Sequence, residues 1–533
     1  MMTDGAKPGR AGAVTSRFRW GWLAPVLAFV ALAAWAFASP IGAGPDDDYH
    51  LTSTWCAVSG SAQCEAGSSP TAREVSEPLV DVACYAYAPE KSAACQYRVM
   101  DEWNHATVET GRGNFAAEYP PVYYAAMHVF AGADLQVSAL AMRLINAALF
   151  VLLGTALALL LPLERRPTLL WGWLVTLVPL GVFLIPSNNP SGWAIAGVGT
   201  TFLALTGWYE TVGSRRWALG ALALVGALMA GGARGDAAVY AIGAVVTATI
   251  IAAPWRGVSW RAWWHWAWLP AIGILVSAVF FATSGQSGVA ESGFSGGAAS
   301  IPGTHGDGAL SGFALAAYNL LMLPFLWTGV FGTWALGWLD TSLPAIVPWA
   351  STAAFIVVAF AGVGRINWRK AIAATGVLLV LVILPVWVLT RGGNSIGENL
   401  QPRYLLPLIV LFAFVLLIMP AGGRLRFTRV QTFLVLAALV LANLVALQVN
   451  IRRYVTGIDQ QGLNLDAGAQ WWWTGFPVGP TALWVIGALA FAGALAALWP
   501  ELRRTAEAPA GDVSSGPSRT RRVTLPRTAA GCG

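Results

Sequence analysis

The residues best suited to chemistry stand together in one short stretch, Gly44-Pro45-Asp46-Asp47-Asp48-Tyr49-His50, where three consecutive carboxylates lie beside an imidazole. Like charges this close raise one another's pKa, and an apolar neighbourhood adds desolvation in the same direction. One raised carboxylate of the three can act as a general base. A pair can hold a divalent cation such as Mg or Mn through hard oxygen ligands. A solvated turn is the plain alternative. His50 can orient a carboxylate or contact a substrate. The groups suited to a phosphate are Arg403, Arg234 and Arg143, because a guanidinium grips phosphate oxygens in a fork. Each has a structural alternative: an interfacial snorkelling side chain for Arg403, a local pair with Asp236 for Arg234, and a buried carboxylate partner for Arg143.

A second set of polar and aromatic residues belongs at the same level. Glu118-Tyr119-Pro120-Pro121-Val122-Tyr123-Tyr124 closes a long connection. Its prolines fix an entry turn, and Tyr119, Tyr123 and Tyr124 offer rings of the kind used against sugars and at membrane interfaces. Asn188, Asn189, Asp236, Asp340, Gln401 and Tyr404 fall at the ends of apolar runs on that side and are candidate substrate-binding groups. The long connection also carries Cys56, Cys64, Cys84 and Cys95, which suits an oxidising, extracytoplasmic compartment. Four cysteines allow three pairings; the sequence-local one, Cys56 with Cys64 and Cys84 with Cys95, is preferred. The spacings are too wide for a zinc knuckle.

What positions these residues follows from composition. Of 533 residues, 56% are apolar and only 11% charged, with 27 Trp, 58 Gly and a net charge of +6. A soluble domain carries about 25% charge, so disordered, collagen-like and small disulfide-framework chains are excluded, and a polytopic all-α membrane protein remains. A bilayer core of about 30 Å needs roughly 20 mostly apolar residues per helix. Twelve such runs occur, near 20–39, 137–161, 169–186, 190–209, 217–233, 237–253, 266–284, 342–363, 371–390, 403–420, 430–449 and 480–499.

Every second connection is basic, which by the positive-inside rule places both chain ends in the cytoplasm and the 41–118 loop outside. The 1–19 segment is then a basic cytoplasmic N-terminus, residues 20–500 form the membrane domain, and 501–533 is a disordered basic tail. Attraction to anionic lipid accounts for that tail without nucleic acid. Residues 119–133 should form an interfacial helix. The stretch 313–340 fits the parity badly, and its Pro324, Gly329, Gly332 and Gly337 suit a re-entrant or interfacial element; a true span paired with another is the alternative. Ala36-Phe37-Ala38 after a basic start also resembles a signal-peptide cleavage site, although the apolar run is long enough to span.

The order of these features carries a resemblance. An acidic motif after the first helix, a long outer loop closing on Tyr-Pro-Pro-Val-Tyr-Tyr, and Arg143-Leu144 in the next span resemble the GT-C superfamily of membrane glycosyltransferases. Pro45-Asp46-Asp47 with His50 resembles more closely the Pro-Asp-Glu and His signature of an actinobacterial family of uncharacterised membrane proteins, the domain of unknown function 2142 type. Pro186-Ser187-Asn188-Asn189-Pro190-Ser191, Gly337-Trp338-Leu339-Asp340 and Gln401-Pro402-Arg403-Tyr404 extend that likeness over most of 20–500. Here the second acidic position is Asp47 rather than Glu. The superfamily resemblance implies a polyprenyl-phosphate-linked sugar donor and a glycan, lipid or protein acceptor, with the acidic motif catalytic: Asp46 first, Asp47 second, Asp48 an extra carboxylate. Two rival classes remain, a transporter of a lipid-linked sugar or polymer and a non-enzymatic membrane scaffold. No phosphate-cradling Gly-x-x-x-x-Gly-Lys loop or dinucleotide fingerprint is present.

Overall fold

The computed structural model describes residues 22–58, 63–101, 106–255, 259–293, 310–420, 423, 425, 427–473 and 476–504. The basic segment 1–19 and the tail beyond 504 lie outside the described residues.

Each apolar run becomes helix, as a continuous apolar stretch must when water cannot satisfy its backbone. The first helix is α1 (Leu23–Phe37). The long connection then holds α2 (Asp47–Trp55), β1 (Cys64–Ala66), β2 (Arg73–Ser76), α3 (Pro78–Asp81), α4 (Gln96–Asp101), β3 (Thr107–Thr110) and α5 (Val122–His128). The bundle continues with α6 (Leu135–Leu160), α7 (Arg166–Leu177), α8 (Leu180–Leu184), α9 (Ser191–Glu210), α10 (Gly213–Ala233), α11 (Gly235–Ala252) and α12 (Trp260–Thr283). After α13 (Ser287–Ser292) come α14 (Gly312–Thr328), α15 (Ile346–Val363), α16 (Trp368–Arg391), α17 (Pro402–Leu417), α18 (Arg429–Val455) and α19 (Pro480–Arg504). Among the described residues nine helices are long and apolar enough to cross a bilayer, and α1 and α17 are shorter apolar helices. Phe360, Trp349, Leu321 and Val430 are exposed along them, an outward apolar belt that suits lipid rather than water. The chain is a multi-pass helical membrane protein.

Caps fix several helix starts: the Asp134 side chain accepts from Val137 N, Asn367 from Lys370 N, and Thr428 with Gln431 forms a capping box. The helix α9 is buried on nearly every face. It packs on α10 at glycines, since a Cβ at Gly197 would lie 2.6 Å from the Gly226 carbonyl oxygen. That close approach needs a residue without a side chain.

Three expectations change. The run at 169–186 is two helices, α7 and α8, because Pro179 disfavours helical backbone at Val178, whose φ and ψ are extended. The chain is not purely helical either. β1, β2 and β3 form an antiparallel sheet in that order, with Cys64 opposite Val75 and Arg73 opposite Thr110. The stretch 313–340 is not a run broken throughout, since α14 accommodates Pro324 and yields only at the 3-10 turn Gly329–Phe331. Its 20 residues to Phe331 are long and apolar enough to cross. Both Asn319, early in the helix, and Gly329, just past its end, abut the 392–402 connection: Asn319 Nδ2 donates to Asn394 O, and Gly329 lies against Pro402.

Within the long connection Cys56 pairs with Cys64 and Cys84 with Cys95. Val75, Leu79, Val82 and Tyr85 bury themselves against the end of the helical bundle, so this loop is part of the core rather than an independent module.

Candidate functional site

The chain leaves α1 at Ala38 and runs through a buried, irregular stretch to Asp46. Irregular backbone at this depth needs donors, and Arg143 of α6 supplies them. Its Nη1 donates to Ala36 O (3.1 Å) and Ser39 O (2.6 Å), its Nη2 to Pro40 O (2.8 Å) and its Nε to Asn188 Oδ1 (2.7 Å). Asn188 Nδ2 in turn holds Ala139 O, and Asn189 Nδ2 holds Pro45 O at 2.7 Å. The acidic motif is thus hung from α6 and from the turn before α9.

The three carboxylates diverge because successive residues of a helical turn point about 100° apart. Asp47, fully buried, accepts from Gly44 N at 3.0 Å and lies 3.7 Å from Arg143. Gly44 permits this grip, because a Cβ there would strike the Asp47 carboxylate. Asp48 turns to Arg112, in the loop after β3, whose Nη2 lies 3.0 Å from Asp48 Oδ1 and whose Nε bonds Oδ2. Asp46 has left-handed backbone, φ +58°, a conformation Asp tolerates better than most residues. This turns its carboxylate between two guanidinium groups: Arg403 Nη2 at 2.5 Å from Oδ2 and Arg112 Nη2 at 3.1 Å from Oδ1.

Burial pushes the Asp47 carboxyl up to about 6, with Arg143 and the Gly44 N–H only partly opposing it. Burial would raise Asp46 too, but the Arg403 guanidinium above all, with Arg112, holds it down at about 2. Burial brings His50 down to about 3, so its imidazole is neutral near pH 7, with Nδ1 2.8 Å from the Tyr124 hydroxyl.

An aromatic wall flanks this centre. His50 meets Tyr119 edge-on and stacks near Tyr124. Tyr49 donates to exposed Glu118 at 2.9 Å, while Asn114 clamps the backbone of Tyr119 at both N and O. Arg234 forks onto Asp236 at 2.9 and 2.8 Å and lies 4.5 Å over the Tyr404 ring. Gln286 ties the Arg234 turn to this wall, accepting from Gly235 N and donating its own backbone N–H to Glu118 O.

Arg403 leaves two buried nitrogens unpaired, where the buried Arg452 and Arg453 leave only Nε. It is 3% exposed, and its Nη2 serves Asp46 and the Tyr404 hydroxyl. Its Nε and Nη1 have no hydrogen-bond partner. It lines a small cavity of about 20 Å³ with Pro45, Leu180, Trp334, Gly337 and Leu339. The Trp334 indole nitrogen is likewise buried without a partner. Buried polar groups are normally paired, and the small cavity beside these idle donors has room for about one water-sized group.

Asp46, Arg403, Tyr404, Tyr119, His50, Arg234 and Asp236 therefore converge, with Gln401 at the cavity edge. The other candidate residues are engaged elsewhere. Arg143, Asn188 and Asn189 are consumed in holding backbone and do not face the cavity. Asp340 is spent on Arg453 (2.7 Å), which also holds Tyr85 O and Lys91 O. Tyr123 is buried edge-on against Trp193. Asp46 and Asp47 point apart, so they do not form a two-carboxylate metal clamp; among the described residues no group of three or more His, Cys, Asp and Glu is gathered for a cation. Arg112 was not singled out by sequence reasoning. Its one signal is position, between glycines just before the Asn114 to Tyr119 turn.

The family described as "Predicted membrane protein (DUF2142)" matches residues 29–412, and the chain belongs to that family. No curated protein and no solved structure matches the chain.

Proposed function

We propose that this chain is an integral membrane glycosyltransferase of GT-C type. It moves a sugar from a polyprenyl-phosphate donor to a cell-envelope acceptor on the extracytoplasmic face, where the disulfide-bearing loop lies. The observation that supports this reading best is the buried, half-satisfied Arg403 guanidinium. It pairs with Asp46, keeps two nitrogens unpaired, and lines a small apolar cavity.

The chemistry follows from that pairing. A donor phosphate on Arg403 satisfies the idle Nε and Nη1 and draws positive charge away from Asp46. The carboxylate, held as a weak base by its guanidinium partners, then gains basicity when the donor is in place. The acceptor hydroxyl gives its proton to Asp46 as its oxygen bonds to the sugar's anomeric carbon; the bond from that carbon to the phosphate oxygen breaks, and the polyprenyl phosphate leaves with both electrons. Positive charge near the leaving phosphate supplies most of the assistance, because phosphate needs little help from an acid. Neutral His50, the Tyr119 ring and Tyr404 shape the sugar side.

The test uses proteoliposomes with a radiolabelled polyprenyl-phosphate sugar, comparing wild type with Asp46→Asn and Arg403→Ala. Loss of a positioned base costs typically 10²- to 10⁴-fold, so label transfer should fall by that order in Asp46→Asn and at least as far in Arg403→Ala. Transfer that survives both changes refutes the assignment. Label that crosses the bilayer uncleaved supports the transporter class instead.

A further inference from the structure

A second cleft lies along the C-terminal end of α18, at Gln448, Val449 and Arg452, near the Asp340–Arg453 pair. It measures about 370 Å³ and is lined by Ser342, Pro344, Gln448, Arg452, Gln460 and Gln461, among others. Three of the chain's ten glutamines meet here, a concentration of neutral amides not explained by folding an apolar bundle. The far wall is pinned in place. Gln448 Nε2 donates to Gly462 O at 3.2 Å, Arg452 Nη2 to Gly462 O and Asn464 O at 2.9 and 2.8 Å, and Ile458 N to Pro89 O at 3.0 Å. Gly457 and Gly462 turn the wall with φ of +97° and +118°, which glycine adopts at no steric cost. The cleft is therefore preformed.

Its chemistry is specific. Arg452 spends its terminal nitrogens on backbone carbonyls and Thr456, and no acidic residue lines the space. What remains is amides and a hydroxyl. Each amide carries donors and an acceptor, as a vicinal diol requires, while the Arg452 guanidinium is mostly occupied, with only its Nε unpaired, and the nearby Asp459 carboxylate is met by the Gln460 amide.

We propose that this cleft binds a neutral glycosyl unit, either a free oligosaccharide or the headgroup of a glycolipid. The inference does not depend on the transferase reading, because it concerns a separate site and is tested by binding alone. The full chain in lipid nanodiscs is titrated with maltotriose and, separately, loaded with monoglucosyl diacylglycerol or phosphatidylglycerol and examined by native mass spectrometry. Saturable binding of maltotriose or retention of the glucolipid over phosphatidylglycerol is expected, and which arm responds distinguishes the two sources. Gln460→Ala with Gln461→Ala, both exposed and safe for folding, should weaken binding about tenfold, the loss of one or two neutral hydrogen bonds. Absence of saturable binding to both glycosyl probes, preference for phosphatidylglycerol, or equal binding in the glutamine variants overturns the proposal.

Discussion

Replacing Arg143 by methionine, which keeps much of its volume but none of its donors, strips hydrogen bonds from the carbonyls of Ala36, Ser39 and Pro40 and from Asn188 Oδ1. At about 1 kcal/mol or more per orphaned buried acceptor, the loss is about 4 kcal/mol at the low end. That is a large fraction of the 5–15 kcal/mol that typically separates folded from unfolded protein. Arg143→Met should therefore aggregate or melt many degrees early, and Arg143→Lys, with three donors and the charge, should fall between. Arg403→Met starts from nearly the same burial, 3% exposed against 1%, yet removes a side chain with two idle buried nitrogens. Asp46 is 36% exposed and keeps Arg112, so it is left partly in water and still paired, unlike the four acceptors stranded at Arg143. Its melting temperature should stay within a few degrees of wild type. The assay is thermal unfolding of purified protein followed by intrinsic tryptophan fluorescence, with size-exclusion profiles beside it. Arg403→Met melting as early as Arg143→Met would show that both arginines serve the fold, and would remove the physical basis for a ligand at Arg403.

Asp47, with its carboxyl raised to about 6, binds a proton more tightly folded than unfolded. Its contribution to stability is fully present below its ordinary value near 3.8 and is lost as pH rises through about 6. Melts from pH 4 to 8 should decline more in wild type than in Asp47→Asn, and parallel curves would contradict the assignment. Opening the Cys84–Cys95 bridge by Cys84→Ser frees a loop whose Tyr85 and Lys91 carbonyls hold Arg453. A loss of about 3 kcal/mol by chain entropy should lower the melting temperature while circular dichroism at 25 °C keeps its helical signal.

Hydropathy made the membrane helices legible, because a lipid-facing or bundle-core run must be apolar for about 20 residues whatever its neighbours do. Pro179 was equally visible, but its effect depends on whether the chain can afford a break there, and the buried turn before α9 allows it. The strands of the long loop after α1, three or four residues each, are too short for an alternating pattern to register. At the site, residue types were legible and directions were not. Asp46, Asp47 and Asp48 look alike in sequence, yet one lies between Arg403 and Arg112, one is buried toward Arg143 and one turns to Arg112 alone. Arg143 and Arg403 look alike too; what separates them is the backbone carbonyls left by α1, which surround the first and not the second. Arg112 meets Asp48 from 64 positions away, a pairing no local pattern encodes.

The carbonyls that Arg143 grips also bear on how the first helix is processed. Ala36 and Ala38 frame a sequence that a signal peptidase could cut, but both are fully buried, Asn450 donates to Ala38 O and Ser39 Oγ, and Trp473 donates to Phe37 O. A peptidase needs that strand extended and open. Since Arg143, Asn450 and Trp473 all lie later in the chain, the bond is exposed only until α6, α18 and the segment before α19 have been made and packed. Once they are, α1 is locked in by residues made after it, and the finished protein shields its own cleavage-like sequence.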